Sequence, residues 1–330
     1  MKILSPGKIR RLQRCSSETG AMVILSIDHR SSLRNLLKAG GIEIIDDDRL
    51  TSFKEVVVKT LGNEVSGILL DPQYGAGHLI AKGSLPKQTG LILALETSGY
   101  SGSKDNRISQ VLAGWSVSKA ARLGADGVRL LVYYHPEADS APSIESMVDS
   151  VAQECQTMDL PLYLAVLPYS NDPKTATLSP VQHREMVLET ASILTSIKGV
   201  DVYMSEFPAD VKTNPDSSEW ESACAALSHA SRVPWLLISS AVDFDLFLRL
   251  TEVACRQGAS GAAAGRAAWQ EAAALGGEKQ KSYLNKTCRS RLSQLAMTCD
   301  SAATPWMDFY KAQEMSADWY RNYPGISSNT

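Results

Sequence analysis

The sequence predicts an α/β protein built as a single (β/α)8 TIM barrel. Three observations lead there: eight short apolar runs recur along the chain, segments of helical periodicity alternate with them, and the runs start about 25 to 40 residues apart. Runs that are apolar on both faces suit a parallel sheet covered by helices.

The runs, in order, are AMVILSID (21–28), VSGILLD (65–71), GLILALE (90–96), ADGVRLLVYY (125–134), LPLYLAVL (160–167), VDVYMSEF (200–207), VPWLLIS (233–239) and GASGAAAGR (258–266). Between them, 48–62, 109–124, 179–197, 217–231 and 243–258 carry the spacing of amphipathic helices. Ser179-Pro180 reads as a helix start, with Gly62, Gly124 and Gly258 as helix stops. A doubly wound open sheet is the competing arrangement, but no GxGxxG follows the first run to support a dinucleotide site. No linker, low-complexity segment or charge run interrupts the pattern, so residues 1–330 read as one barrel domain with extra helices from about Ala267.

Bulk properties narrow the function. The 330 residues are 44% hydrophobic and 21% charged with a formal net charge of −3, which gives no general attraction to nucleic acid or an anionic membrane. A small molecule is the expected partner, and a homo-oligomer is left open. The N-terminus lacks the apolar core of a signal peptide and no apolar run approaches the roughly 18 residues of a membrane span, so a cytoplasmic protein is expected. Six cysteines without CxxC spacing fit reduced thiols there.

In such a barrel the active site forms at the C-terminal ends of the strands. Those ends are polar. Asp28-His29-Arg30 close the first run, Asp71 through Gly75 the second with Gln73, and Glu96 through Tyr100 the third. The fourth carries Arg129 and ends in Tyr133-Tyr134-His135, while Met204 and Glu206 share a face of the sixth. Alternation turns Asp28 inward with Ser26 and Ile24, and Arg129 with Leu131 and Tyr133, so pairing and ligand contact are compatible roles. Asp71 reads equally as a turn starter. Ser239-Ser240-Ala241 and Gly265-Arg266, after the seventh and eighth runs, recreate a place where barrels hold phosphate on backbone N–H groups, with arginine adding bidentate reach. His29, His78 and His135 fall at strand mouths and are candidate proton carriers, with Asp28, Glu96 and Glu206 as acid–base partners. These groups could instead hold a divalent metal acting as a Lewis acid, although ligands scattered over separate strands give a weak spacing signal; no cofactor is the first expectation. Trp115, Trp235 and Trp269 read as packing residues.

The ordered motifs DHR, LLDPQYG, ALETSGY, GWSVSKAARLGADGVRLLVYY, DVYMSEFP and AAAGRAAW resemble the class I tagatose bisphosphate aldolases. The resemblance implies a (β/α)8 barrel that cleaves a ketose bisphosphate into two triose phosphates through a lysine Schiff base. At the position matching that lysine the chain has Met204; at the family's acid–base glutamate it has Ala165, expected across the barrel from Met204; at a second family lysine it has Arg129. A thioether forms no iminium and alanine moves no proton. Of the remaining lysines, Lys54, Lys59 and Lys119 fall on helices and Lys198 and Lys212 beside the sixth run, and none is expected at an inward strand position. Two readings follow: aldolase-like or isomerase-like carbonyl chemistry on a phosphorylated or anionic sugar without a Schiff base, and a catalytically silent sugar-phosphate sensor. In the first, Asp28, His29, Glu96, His135 and Glu206 are the candidate catalytic groups, and Arg30, Gln73, Arg129, Tyr133, Met204, Ser239, Ser240, Gly265 and Arg266 the candidate ligand contacts; in the second, Glu206, Asp28 and Arg129 hold the ligand or one another.

Overall fold

Eight parallel strands hydrogen-bond edge to edge until the eighth meets the first, closing a barrel. This computed structural model describes residues 1–41, 45–175, 177–211, 217–240 and 242–323. The strands are β1 (Met22–Ser26), β2 (Gly67–Leu70), β3 (Gly90–Ala94), β4 (Gly127–Tyr134), β5 (Leu162–Pro168), β6 (Val200–Ser205), β7 (Trp235–Ile238) and β8 (Gly261–Ala264). Seven of the eight runs read from the sequence contain one of them, and β5 outruns its run by one residue, Pro168. Closure is carried by the β8–β1 register, in which Ala262 pairs with Val23 and Ala263 with Ile24.

Period-two alternation separates two apolar layers. Ile24, Leu69, Ile92, Tyr163, Met204 and Leu236 belong to the cluster inside the barrel. Val23, Leu25, Leu93, Val128 and Val166 face outward and pack with helix residues such as Phe53, Val148 and Leu194. That two-sided burial is why the strands read as continuous apolar runs.

The N-terminal end of the barrel is sealed. Helix Pro6–Arg14 sends Lys8 to Asp201 at the start of β6, a fully buried pair at 2.6 Å. Lys2–Leu4 pairs in parallel with Tyr310–Ala312, and the Tyr310 hydroxyl donates to the Asp201 carbonyl at 2.6 Å. Access to the interior is therefore from the opposite end.

Helices Asp47–Leu61, Pro180–Leu194, Ser217–Ala230 and Phe244–Arg256 match the predicted periodic segments. Ser179 caps its helix in a full capping box with Gln182, and Gly124 and Gly258 stop theirs with φ of +94° and +106°. Gly62 ends its helix without a left-handed turn and leads into the 3-10 turn Gly62–Glu64. The expected helix over 109–124 shrinks to Val117–Arg122. Gly114 is left-handed, and the Ser116 hydroxyl accepts the Lys119 N–H to start the helix late. The residues before it extend instead: Val111 bridges Glu96, and Ser101–Gly102 forms a hairpin with Arg107–Ile108. Past β8 the chain continues as helices Arg266–Trp269, Gly277–Tyr283 and Arg289–Ala302.

Candidate active site

A cavity of about 450 Å³ opens at the C-terminal ends of the strands. Asp28 and His29 enter it just beyond β1, Glu96 beyond β3, Arg129 and Tyr133 from β4, Met204 and Glu206 from the β6 segment, and Ser239, Ser240, Gly265 and Arg266 from beyond β7 and β8. Arg30 also lines it.

The charged groups are wired together. Arg129 lies between two carboxylates: its Nη2 donates to Asp28 Oδ2 at 2.6 Å and to Glu96 Oε1. Glu96 Oε2 accepts the Leu131 N–H at 3.0 Å, and Arg30 approaches Glu96 Oε1 at 3.6 Å while donating to the Glu96 carbonyl at 2.8 Å. Burial acts against ionising either acid, but with different outcomes. For Asp28 the Arg129 guanidinium, helped by His29 and Lys54, overcomes burial and holds the carboxyl well below the usual range. For Glu96 burial, reinforced by the charge on Asp28, prevails over Arg129 and pushes the carboxyl up. Two acids on one guanidinium are thus driven apart, Asp28 toward the anion and Glu96 toward holding a proton.

His29 stands edge-on to Trp269 with ring centroids 5.2 Å apart, and the Trp269 indole N–H is anchored on the Ser26 carbonyl at 3.0 Å. The sequence reading of Trp269 as a packing residue holds, and what it packs is this imidazole. A Cβ added at Gly265 would stand 3.1 Å from His29 Cε1, so glycine there lets the ring sit close to β8. Burial first, then the charges of Arg266, Lys54 and Arg129, pulls the His29 pKa down to about 4 despite Asp28 at 3.8 Å. The native ring is neutral at pH 7, and its buried Nδ1 has no hydrogen-bond partner among the described residues. A depressed histidine pKa means the unfolded chain protonates first. Its stabilisation is complete above about pH 6.5 and is lost as pH falls toward 4. Urea denaturation at pH 7 and pH 4.5 is expected to show the native chain losing about 2 kcal/mol more than His29→Gln between the two; equal losses would refute the assignment.

Glu206 is held from two sides. The Ser240 hydroxyl donates to Oε1 at 2.9 Å, and His183 Nε2 stands 3.6 Å from Oε2. Ser240 adopts φ of +39°, a left-handed conformation unusual for serine, in the turn that brings its hydroxyl to Glu206. The Ser239 hydroxyl accepts the Gly265 N–H at 3.3 Å, and Arg266 has no ion pair among the described residues, which leaves a guanidinium unneutralised at the cavity wall. Ala241 lies outside the described residues.

Other expectations are corrected. His135 does not line this cavity: it is buried beside Tyr169, and its Nδ1 accepts the Glu137 N–H at 3.1 Å. His78 is exposed on the short helix Gly77–Ala81. Gln73 stays outside and accepts from Arg30 at 3.2 Å, so it supports a cavity residue without reaching a ligand itself. Asp71 is structural: it caps the turn Pro72–Ala76 through the Tyr74 N–H and pairs with Lys54, which is fully buried behind the strands. Ala165 is not across the barrel from Met204; the two are register partners on adjacent strands.

No lysine lines the cavity among the described residues, and Lys212 lies outside them. Among the described residues no group of three or more histidine, cysteine or acidic side chains is arranged to hold a metal ion. No helix of the described residues is long and apolar enough to cross a membrane. Sequence reasoning missed His183 and Arg107. His183 sits in the first turn of the helix started by Ser179-Pro180, and that cap was the available signal. The guanidinium of Arg107 stacks over Tyr100, Tyr133 and Tyr169, which no spacing rule foretells.

Residues 22–271 match the profile of the DeoC/LacD family aldolases. The chain is 31% identical over 291 residues to tagatose 1,6-diphosphate aldolase 2 of Enterococcus faecalis, covering 82% of this chain and 85% of that protein. It is 28% identical to the tagatose 1,6-diphosphate aldolase of Lactococcus lactis, over 93% of this chain and 99% of the relative. Among solved structures an archaeal fructose 1,6-bisphosphate aldolase shares the fold, with a TM-score of 0.59 at 18% identity over 89% of this chain and 99% of that one. Barrel, polar strand ends and sequence similarity lead to one assignment: the chain belongs to the DeoC/LacD family of aldolases.

Proposed function

We propose that the protein cleaves or forms a carbon–carbon bond beside a carbonyl, or carries out a related carbonyl acid–base step, on a phosphorylated or otherwise anionic sugar-like compound, without a lysine Schiff base. The observation that carries this reading is the pairing of an apolar wall, Met204 beside Ala165, with a buried network of Asp28, Arg129, Glu96 and Arg30 in the same cavity. Ion pairs taken out of water stabilise a fold weakly at best, so their retention around an open cavity supports a chemical role.

The roles follow from position. Arg266, with the Ser239–Ser240 turn and Gly265, receives the anionic end of the substrate. Glu206, oriented by Ser240 and next to His183, removes the proton from the hydroxyl β to the carbonyl. As the carbon–carbon bond breaks, its electron pair moves through the α-carbon to the carbonyl oxygen, and the resulting enolate is stabilised by the guanidinium of Arg129 or Arg30 in place of an iminium. Glu96, the carboxyl driven toward its protonated form, then delivers a proton to the enolate carbon, giving the second carbonyl product. Neutral His29 hydrogen-bonds within the cavity or passes protons. The six cysteines are all buried and unbonded, which supports placing this activity in the cytoplasm.

Mass spectrometry of a panel of ketose phosphates and bisphosphates, with and without borohydride, tests the proposal. The expected result is conversion with no trapped protein adduct. Glu206→Gln should lower kcat/KM at least about 100-fold, and Arg266→Ala should raise KM at least about tenfold. A trapped adduct, or unchanged turnover in Glu206→Gln, would overturn it. Tight binding without conversion across the panel would favour the sensor.

A further inference from the structure

Beside the reaction cavity lies a second chamber, larger at about 670 Å³, entered past Glu206, Ile238, Ser239 and Ser240, which line both spaces. Its walls come from the segments after β5, β6 and β7 and from the helix Phe244–Arg256, and they are largely apolar: Pro168, Leu178, Phe207, Val242, Phe247 and Leu250. Polar groups line it too, Ser170, Thr177 and Asp210 among them. His183 and Glu206 stand at the junction, and Arg107 lies on the wall, its guanidinium fixed over Tyr169 and Tyr100 with centroid distances of 4.7 Å each and meeting no carboxylate among the described residues.

A three-carbon phosphorylated fragment has no apolar surface to offer such walls, and the reaction cavity alone has room for it. An apolar chamber of this size is instead of the kind that buries an organic substituent. Its junction with the reaction cavity falls at the Ser239–Ser240 turn, where the anionic end of the substrate is proposed to bind. An anchored compound can therefore extend directly into it.

We infer that this chamber is a second substrate subsite, and that the physiological substrate carries an apolar or aromatic substituent next to its anionic carbonyl portion. This rests on the proposed reading of the reaction cavity as an anion site. It deepens that reading by naming the substrate class: an acyl-, alkyl- or aryl-substituted sugar-like phosphate, in place of an unsubstituted ketose bisphosphate. Glu206 and His183, at the boundary, then face the bond that joins the two portions.

Titration calorimetry of the full chain with methyl, butyl and hexyl phosphate tests the inference. Each methylene that leaves water for an apolar site strengthens binding by about fourfold. Hexyl phosphate is expected to bind at least about thirtyfold more tightly than methyl phosphate, equivalent to two or three methylenes fully buried. The ratio should fall below about threefold in both Val242→Trp and Leu178→Trp, which fill the chamber from different segments, so that misfolding of one leaves the other decisive. Equal affinities across the series, with methyl phosphate binding lost in Arg266→Ala, would overturn the chamber and leave the anion site standing. Tail-dependent binding that Arg266→Ala does not weaken would sustain the chamber and overturn the anion site. Absence of binding throughout the series would overturn both.

Discussion

Borohydride reduction in the presence of a ketose bisphosphate is expected to leave the native chain unlabelled, to label Met204→Lys slowly, and to label Met204→Lys with Ala165→Glu at least about 100-fold faster. The gain follows from where the two residues sit. Met204 is buried on the inner face of β6 and lines the reaction cavity; Ala165 is its register partner on β5. An amine introduced at 204 occupies a buried position at the cavity wall, and burial lowers a lysine pKa and leaves more of it in the nucleophilic form. The amine alone can attack a carbonyl, but loss of water from the carbinolamine needs a proton donor beside it, and general acid–base help is worth about 10² to 10⁴. Alanine supplies none, while a glutamate on the adjacent strand would. Labelling of the native chain would show that another lysine works, with Lys212 the first to substitute. Equal rates in the single and double variants would show that the register pairing does not set the chemistry.

The second large effect concerns stability. Arg129→Leu is expected to cost about 3–5 kcal/mol in urea denaturation at pH 7, because it strands the Asp28 and Glu96 carboxyls in a buried site without their cation. Adding Asp28→Asn and Glu96→Gln should recover at least half of that loss, since uncharged groups of the same shape need no counter-charge. Arg129→Lys is expected to fall between, as a point charge on a flexible stem cannot serve both acids with the fixed geometry of the guanidinium. A loss below about 1 kcal/mol for Arg129→Leu would mean that the carboxyls take up protons or rearrange, and that the network is not a fixed feature of the mouth.

What could be read from the residues alone follows the reach of period-two alternation. Within the strands, and for one or two residues beyond β1, β3 and β6, alternation carries inward positions, and Asp28, Glu96, Arg129, Met204 and Glu206 all line one cavity. Elsewhere turn geometry decides. His135 directly follows β4, yet the Glu137 N–H takes its Nδ1 and turns it away, and His78 lies on an exposed helical turn. His183 reaches Glu206 from 23 positions earlier in the chain, a meeting created by how the segment after β5 folds back, which no local pattern encodes. The helix expected over 109–124 failed for a related reason: apolar spacing was present, but Gly114 and the Ser116 cap overrode it.

The parallel pairing of Lys2–Leu4 with Tyr310–Ala312 has a consequence for biosynthesis. During translation Lys2–Leu4 leaves the ribosome long before Tyr310–Ala312 exists to pair with it, and Lys8 and Asp201 likewise meet across a long separation. The β-strands of the barrel can associate in order as they emerge, whereas the floor beneath them is completed last. A nascent chain halted before Tyr310 should therefore expose the interior from below and be cut by protease within residues 1–14, and release of a chain that includes Tyr310–Ala312 should abolish that cleavage.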